Sequence, residues 1–115
     1  MQKTRHPEAE SWFARALSAA PADPSARTHY GLFLMDAGRN LEAARSFEEA
    51  ARLTERGRQE GQGEYYETLF NAGVAYRLAG RMDKAEEFYR RAADVRPLVS
   101  IAHSLYVKSS KALSV

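Results

Sequence analysis

The residues with chemistry to offer are few, and their spacing decides what each can do. The three histidines, His6, His29 and His103, are scattered and show none of the close pairing that a metal ion needs. His29 lies beside Tyr30 in a helical stretch and reads as a helix residue. The carboxylate pairs Glu48-Glu49 and Glu86-Glu87 are adjacent, so on a helix they point apart instead of converging for acid–base work. They read as solvated faces with i,i+4 partners, Glu48 to Arg52 and Glu86 to Arg90. Gly57, Gly61 and Gly63 follow no strand, so they read as linker chemistry and not as a phosphate cradle. Cysteine is absent, which removes disulfides, thiolate metal sites and cysteine nucleophiles. These residues form no catalytic constellation. The expectation is a chain that is not an enzyme and binds no cofactor or metal.

The elements that carry these residues are helical. The chain has 115 residues, the size of one domain, with 44% hydrophobic and 28% charged residues. Alanine, arginine, glutamate and leucine dominate and β-branched residues are scarce, which favours helix. The 17 basic and 15 acidic side chains leave a formal charge of +2 and are interleaved throughout, so no nucleic-acid footprint is expected. The longest clear apolar run, Leu32 to Met35, is far too short to cross a membrane. The first residues, Met1 to Pro7, lead into charged ones and not into a signal-peptide core.

The chain repeats itself. Gly31, Leu34, Gly38, Arg39, Ala43, Phe47, Ala50 and Leu53 recur 42 residues later as Gly73, Tyr76, Gly80, Arg81, Ala85, Tyr89, Ala92 and Val95. Ala9, Phe13 and Ala16 precede Ala43, Phe47 and Ala50 by 34 residues, and Pro21 closes the first segment as Pro97 closes the last. One 34-residue unit, given eight extra residues in its second interval, explains both offsets. The pattern is that of packed helix pairs. Leu69, Ala72, Gly73 and Tyr76 share one helical face. Gly31 and Gly73, each costing a helix about 1 kcal/mol against alanine, mark close backbone approach by a partner helix. Phe47 and Tyr89 are expected to fill the gap between hairpins, and Gly38-Arg39 and Gly80-Arg81 to make the turns.

Six antiparallel helices follow, over about 8–20, 25–37, 40–56, 65–79, 82–95 and 99–112. They group into a half-repeat at 1–23, a repeat at 24–57, an insertion at 58–65, a repeat at 66–99 and a capping or half-repeat helix at 100–115. The insertion reads as a mixture of loop and flanking-helix extension. Trp12 and Phe13 lie on a second helix with no first helix before it, so they either pack on 25–37 alone or await a preceding repeat. Ile101, Leu105 and Tyr106 make an amphipathic stripe on a helix with no partner after it.

These residues closely resemble the tetratricopeptide repeat across essentially the whole chain. Leu69, Ala72-Gly73, Tyr76, Gly80, Ala85, Tyr89, Ala92 and Pro97 carry nearly the full signature, and Tyr30-Gly31, Leu34, Gly38, Ala43, Phe47 and Ala50 most of another. Arg27 and Glu55 depart from it, standing where the family prefers a large apolar residue and a proline. The resemblance implies an all-α solenoid of helical hairpins whose first helices line a concave groove for a peptide or helix. The groove candidates are then Thr28, Leu32 and Met35, beside Asp36, in one repeat and Glu67, Phe70, Asn71, Val74 and Arg77 in the next. Asn71 is either a donor to an extended peptide backbone, as in many family members, or a solvated amide. Leu32, Phe70 and Val74 either pack within the superhelix or form an apolar groove. A clamp for a terminal carboxylate is not expected: Thr28, Leu32, Ile101 and Leu105 stand where its cations would be, and one amide cannot replace paired cationic donors.

A narrower similarity is to the C-terminal repeats of transmembrane, tetratricopeptide-containing protein O-mannosyltransferases, carried by Thr28-His29-Tyr30-Gly31 and Phe70-Asn71-Ala72. It implies a lumenal part of an endoplasmic reticulum enzyme whose glycosyl transfer, on cadherin-type substrates, belongs to a membrane domain absent from these residues. Without that similarity the expected compartment is the cytoplasm. Three functions therefore stand: a non-catalytic module that binds a protein segment, a repeat part of such a transferase, and a scaffold that self-associates through its exposed ends into a homo-oligomer.

Overall fold

The computed structural model describes residues 6–56 and 62–96, with positions 101 and 105. It shows α1 (His6–Ala19), α2 (Pro24–Asp36), α3 (Asn40–Arg56), α4 (Gln62–Leu78) and α5 (Met82–Val95). Each helix packs on its neighbours in sequence, α2 on α3, α3 on α4 and α4 on α5. In this zigzag α2 and α4 form one layer, and α3 and α5 the other. The sixth helix expected over 99–112 lies outside the described residues, apart from Ile101 and Leu105, which are helical and exposed.

Local chemistry sets the helix ends. Asp23 caps α2, its Oδ1 accepting from the Ser25 amide at 3.0 Å, and Pro24 occupies the first turn, where a missing N–H costs nothing. Gly38 and Gly80 end α2 and α4 with φ of 83° and 82°. After each, the arginine amide reaches back, Arg39 to the Leu34 carbonyl at 2.9 Å and Arg81 to that of Tyr76 at 2.8 Å. This is the left-handed closure that glycine makes cheaply.

The core follows the repeated face. Leu34, Ala43, Phe47, Leu69, Ala72, Tyr76, Ala85, Phe88 and Ala92 are all buried. Being sandwiched between α3 and α5, α4 is buried around most of its circumference, whereas α3 and α5 keep a charged outer side. The paired glycines make room for rings and not for backbone. A Cβ on Gly31 would lie 2.7 Å from the Phe47 ring, and one on Gly73 would lie 2.7 Å from that of Tyr89. Phe47 and Tyr89 thus fill space inside their own hairpins, which corrects the expectation that they bridge between hairpins.

The extra residues of the second interval are partly helical. Helix α4 starts at Gln62, three residues before the expected position, and carries Tyr65 and Tyr66 into the core. Burying two aromatic rings is worth several times the roughly 1 kcal/mol that Gly63 costs the helix. Helix α1 packs more lightly. Phe13 rests on Tyr30 and Phe33 with ring centres 5.5 and 5.4 Å away, while Glu10 meets the Tyr30 hydroxyl at 3.3 Å and Arg39 at 2.9 Å. Trp12 touches Phe13 edge-on at 5.0 Å and stays 57% exposed.

Candidate functional site

The layer of first helices presents two faces side by side. On α2, Thr28 is half-buried, Leu32 is 42% exposed and Met35 packs against the core. On α4, Glu67 is exposed while Asn71 and Val74 are half-buried. Val74 occupies on α4 the place that Leu32 occupies on α2, so the two helices offer apolar side chains at matching heights.

Other candidates are already engaged by the protein itself. Phe70 lies 6.0 Å from the Tyr66 ring and 5.4 Å from that of Tyr89, which makes it chiefly a packing residue. The Nε of Arg77 donates to the Tyr89 hydroxyl at 3.3 Å. Tyr89, which the repeat assigned only to packing, therefore also shapes the edge of this face. The signal was present, because Tyr89 carries a hydroxyl where the earlier repeat has Phe47. With Met82 and Asp83, Arg77 and Tyr89 border a hollow of about 470 Å³. Leu78 and Met82, exposed at the adjoining turn, were not among the expected residues.

The second-helix layer is charged, and its ion pairs differ from those expected. Glu49, not Glu48, takes Arg52, at i,i+3. Glu48 turns inward instead, accepting the Tyr76 hydroxyl at 2.6 Å and facing Lys84 at 3.9 Å. The pair expected between Glu86 and Arg90 does not form among the described residues. Burial, reinforced by the bond to Glu48, pushes the Tyr76 phenol up to about 12. Lys84 lies over both Tyr76 and Phe88, 5.5 Å from each ring centre, so this network ties α3, α4 and α5 together. Near α1, the Arg39 guanidinium bonds both oxygens of Glu42, at 2.7 and 3.0 Å, and holds that carboxyl below its ordinary range.

Among the described residues no three His, Cys, Asp or Glu side chains converge as metal ligands, and no helix is long and apolar enough to cross a membrane. The hydroxyls of Tyr30 and Tyr76 are used in helix-to-helix contacts.

Comparison with known proteins agrees with this geometry. The sequence profile of the tetratricopeptide repeat matches residues 24–97, more than half of the chain. Among solved structures, the N-terminal domain of stress-induced protein-1 (STI-1) from C. elegans is similar in fold, with a TM-score of 0.72. It shares 14% sequence identity, and the match covers 87% of this chain and 80% of that one. No curated protein matches the chain, and the narrower similarity to O-mannosyltransferases thus has no relative to support it.

Proposed function

The chain belongs to the tetratricopeptide repeat family, and on that premise we propose that it is a non-catalytic module holding a protein segment in the groove lined by α2 and α4. The observation that carries this reading is Leu32, a leucine 42% exposed on the first-helix layer, at the repeat position that half-buried Val74 holds on the neighbouring first helix, with half-buried Asn71 one turn before Val74. An apolar residue left open beside an amide suits a segment that offers both an apolar side chain and a backbone carbonyl. Thr28 and Glu67 form the polar rim, and Met35, Phe70 and Arg77 hold the floor and edge in place through their packing. The test is to select peptides from a random library on the intact chain and measure their affinity for a Leu32→Asp/Asn71→Ala variant. Binding at least about tenfold weaker, with helicity retained, is expected from the loss of one apolar anchor and one hydrogen bond. Unchanged affinity would remove the groove assignment. Phe70 is left out of the variant because its loss would disturb the Tyr66–Tyr89 packing as well.

Self-association is a second reading, favoured by the exposed Trp12 at one end and Ile101 and Leu105 at the other. Sedimentation equilibrium separates it from the first: a dimer that Trp12→Ser dissolves supports it, and a monomer at all concentrations excludes it.

A further inference from the structure

The second-helix layer carries a feature for which the groove has no use. A cleft of about 360 Å³ lies between α3 and α5, lined by Arg45, Glu48, Glu49, Arg52 and Arg91. Arg45 also lines a neighbouring hollow of about 250 Å³ with Arg27, Tyr30, Glu42 and Ser46. The two share a wall, so Arg27, Arg45 and Arg91 succeed one another across a single face.

The carboxylates on this face are all engaged. Glu42 is held by Arg39, Glu49 by Arg52, and Glu48 by Tyr76 and Lys84. Arg27, Arg45 and Arg91, in contrast, form no ion pair among the described residues. The Nε of Arg27 is buried without an acceptor among the described residues, and the residue lines the hollow beside Arg45. The Arg91 guanidinium lies over the Phe88 ring, 4.7 Å from its centre, and such stacking restrains the head while leaving its N–H donors unused. One guanidinium lacks an acceptor at a buried nitrogen, one is restrained by a ring, and the third, Arg45, joins the two hollows.

We propose that this face docks an acidic segment of a partner protein, whose carboxylates bridge from the Arg27–Arg45 hollow to Arg91. Guanidinium matches carboxylate with two parallel hydrogen bonds, and three successive arginines suit side chains spaced along one segment. A nucleic acid fits less well. The ring beneath Arg91, Phe88, is fully buried and offers no base a stacking platform.

The test uses fluorescence anisotropy at low ionic strength with the intact chain and a labelled peptide of alternating Glu and Gly. A peptide with Gln for Glu and an oligothymidylate of matching length serve as comparisons. The Glu peptide is expected to bind, to weaken with added salt, and to lose at least about tenfold in affinity when Gln replaces Glu or in Arg45→Gln/Arg91→Gln. Arg45 is exposed, so Arg45→Gln alone keeps the fold and must by itself weaken the peptide several-fold. Leu32→Ala, in the groove between α2 and α4, must leave it unchanged, which separates this face from the groove. No binding of the Glu peptide, indifference to the arginine variants, or tighter binding of the oligothymidylate would overturn the proposal.

Discussion

Replacing Gly31 by alanine puts a Cβ 2.7, 2.9 and 2.9 Å from three carbons of the Phe47 ring. Two effects oppose each other. Alanine favours the helix by about 1 kcal/mol, and overpacking a filled core costs about 1–3 kcal/mol. Phe47 is fully buried, so its ring cannot swing aside without displacing other core side chains, and the upper part of that range applies. The net is a loss of about 1–2 kcal/mol, or a fall in Tm on the order of 4–8 °C for a chain of this size. Gly73 is the internal control. Its Cβ would meet Tyr89 just as closely, at 2.7 Å, but that ring is half-buried and its hydroxyl makes only a 3.3 Å bond to Arg77. Tyr89 can tilt outward, the two effects nearly cancel, and Gly73→Ala is expected within about 0.5 kcal/mol of the parent. Urea unfolding followed by far-ultraviolet circular dichroism measures both variants. A Phe47→Leu background should remove most of the Gly31→Ala penalty, since the clashing ring is gone. A Gly31→Ala chain as stable as the parent, or a Gly73→Ala chain that is the worse of the two, would refute the packing argument.

Three other outcomes follow from the same structure. Tyr76→Phe deletes the bond to Glu48 and should cost about 1 kcal/mol. Because the folded phenol is raised to about 12 and an unfolded tyrosine ionises near 10, its contribution is complete below about pH 10 and disappears as pH rises toward 12. The parent should therefore lose stability through that window more steeply than Tyr76→Phe, and parallel alkaline unfolding curves would contradict this. Asp23→Ala removes the α2 cap and should lower stability by about 1 kcal/mol in the same urea assay, while Ser25→Ala should not. Amide exchange should be fastest in α1, which packs lightly on α2 and the Arg39 turn, and slowest in the sandwiched α4; equal protection of the two would contradict the packing described.

Much of this architecture was legible in the residues, because a repeat states each structural requirement more than once. The glycine turns, the buried alanines and the face of Leu69, Ala72, Gly73 and Tyr76 all stand where periodicity put them. Spacing, however, tells that a glycine makes room without telling for what: the rings of Phe47 and Tyr89 fill the notches of Gly31 and Gly73 and not the gap between hairpins. The start of α4 was hidden because Gly63 looks like a linker residue, and only the burial of Tyr65 and Tyr66 reveals why the helix absorbs it. The ion pairs escaped for a different reason. Glu48 has an i,i+4 arginine in sequence, but its better partner is a phenol on another helix. The proposed site divides along the same line. The repeat register puts Leu32 and Asn71 outward of the packing face, whereas the commitment of Phe70 to packing depends on the Tyr89 ring that approaches from α5 as well as on Tyr66 of its own helix.

The claim that a partner segment lies in the groove between α2 and α4 is tested most directly by backbone amide chemical shifts during titration with a library-selected peptide. The account predicts the largest perturbations at Thr28, Leu32, Asn71 and Val74, with α3 and the outer side of α5 nearly unchanged. Perturbations concentrated on α3 and α5, or on α1 around Trp12, would contradict it.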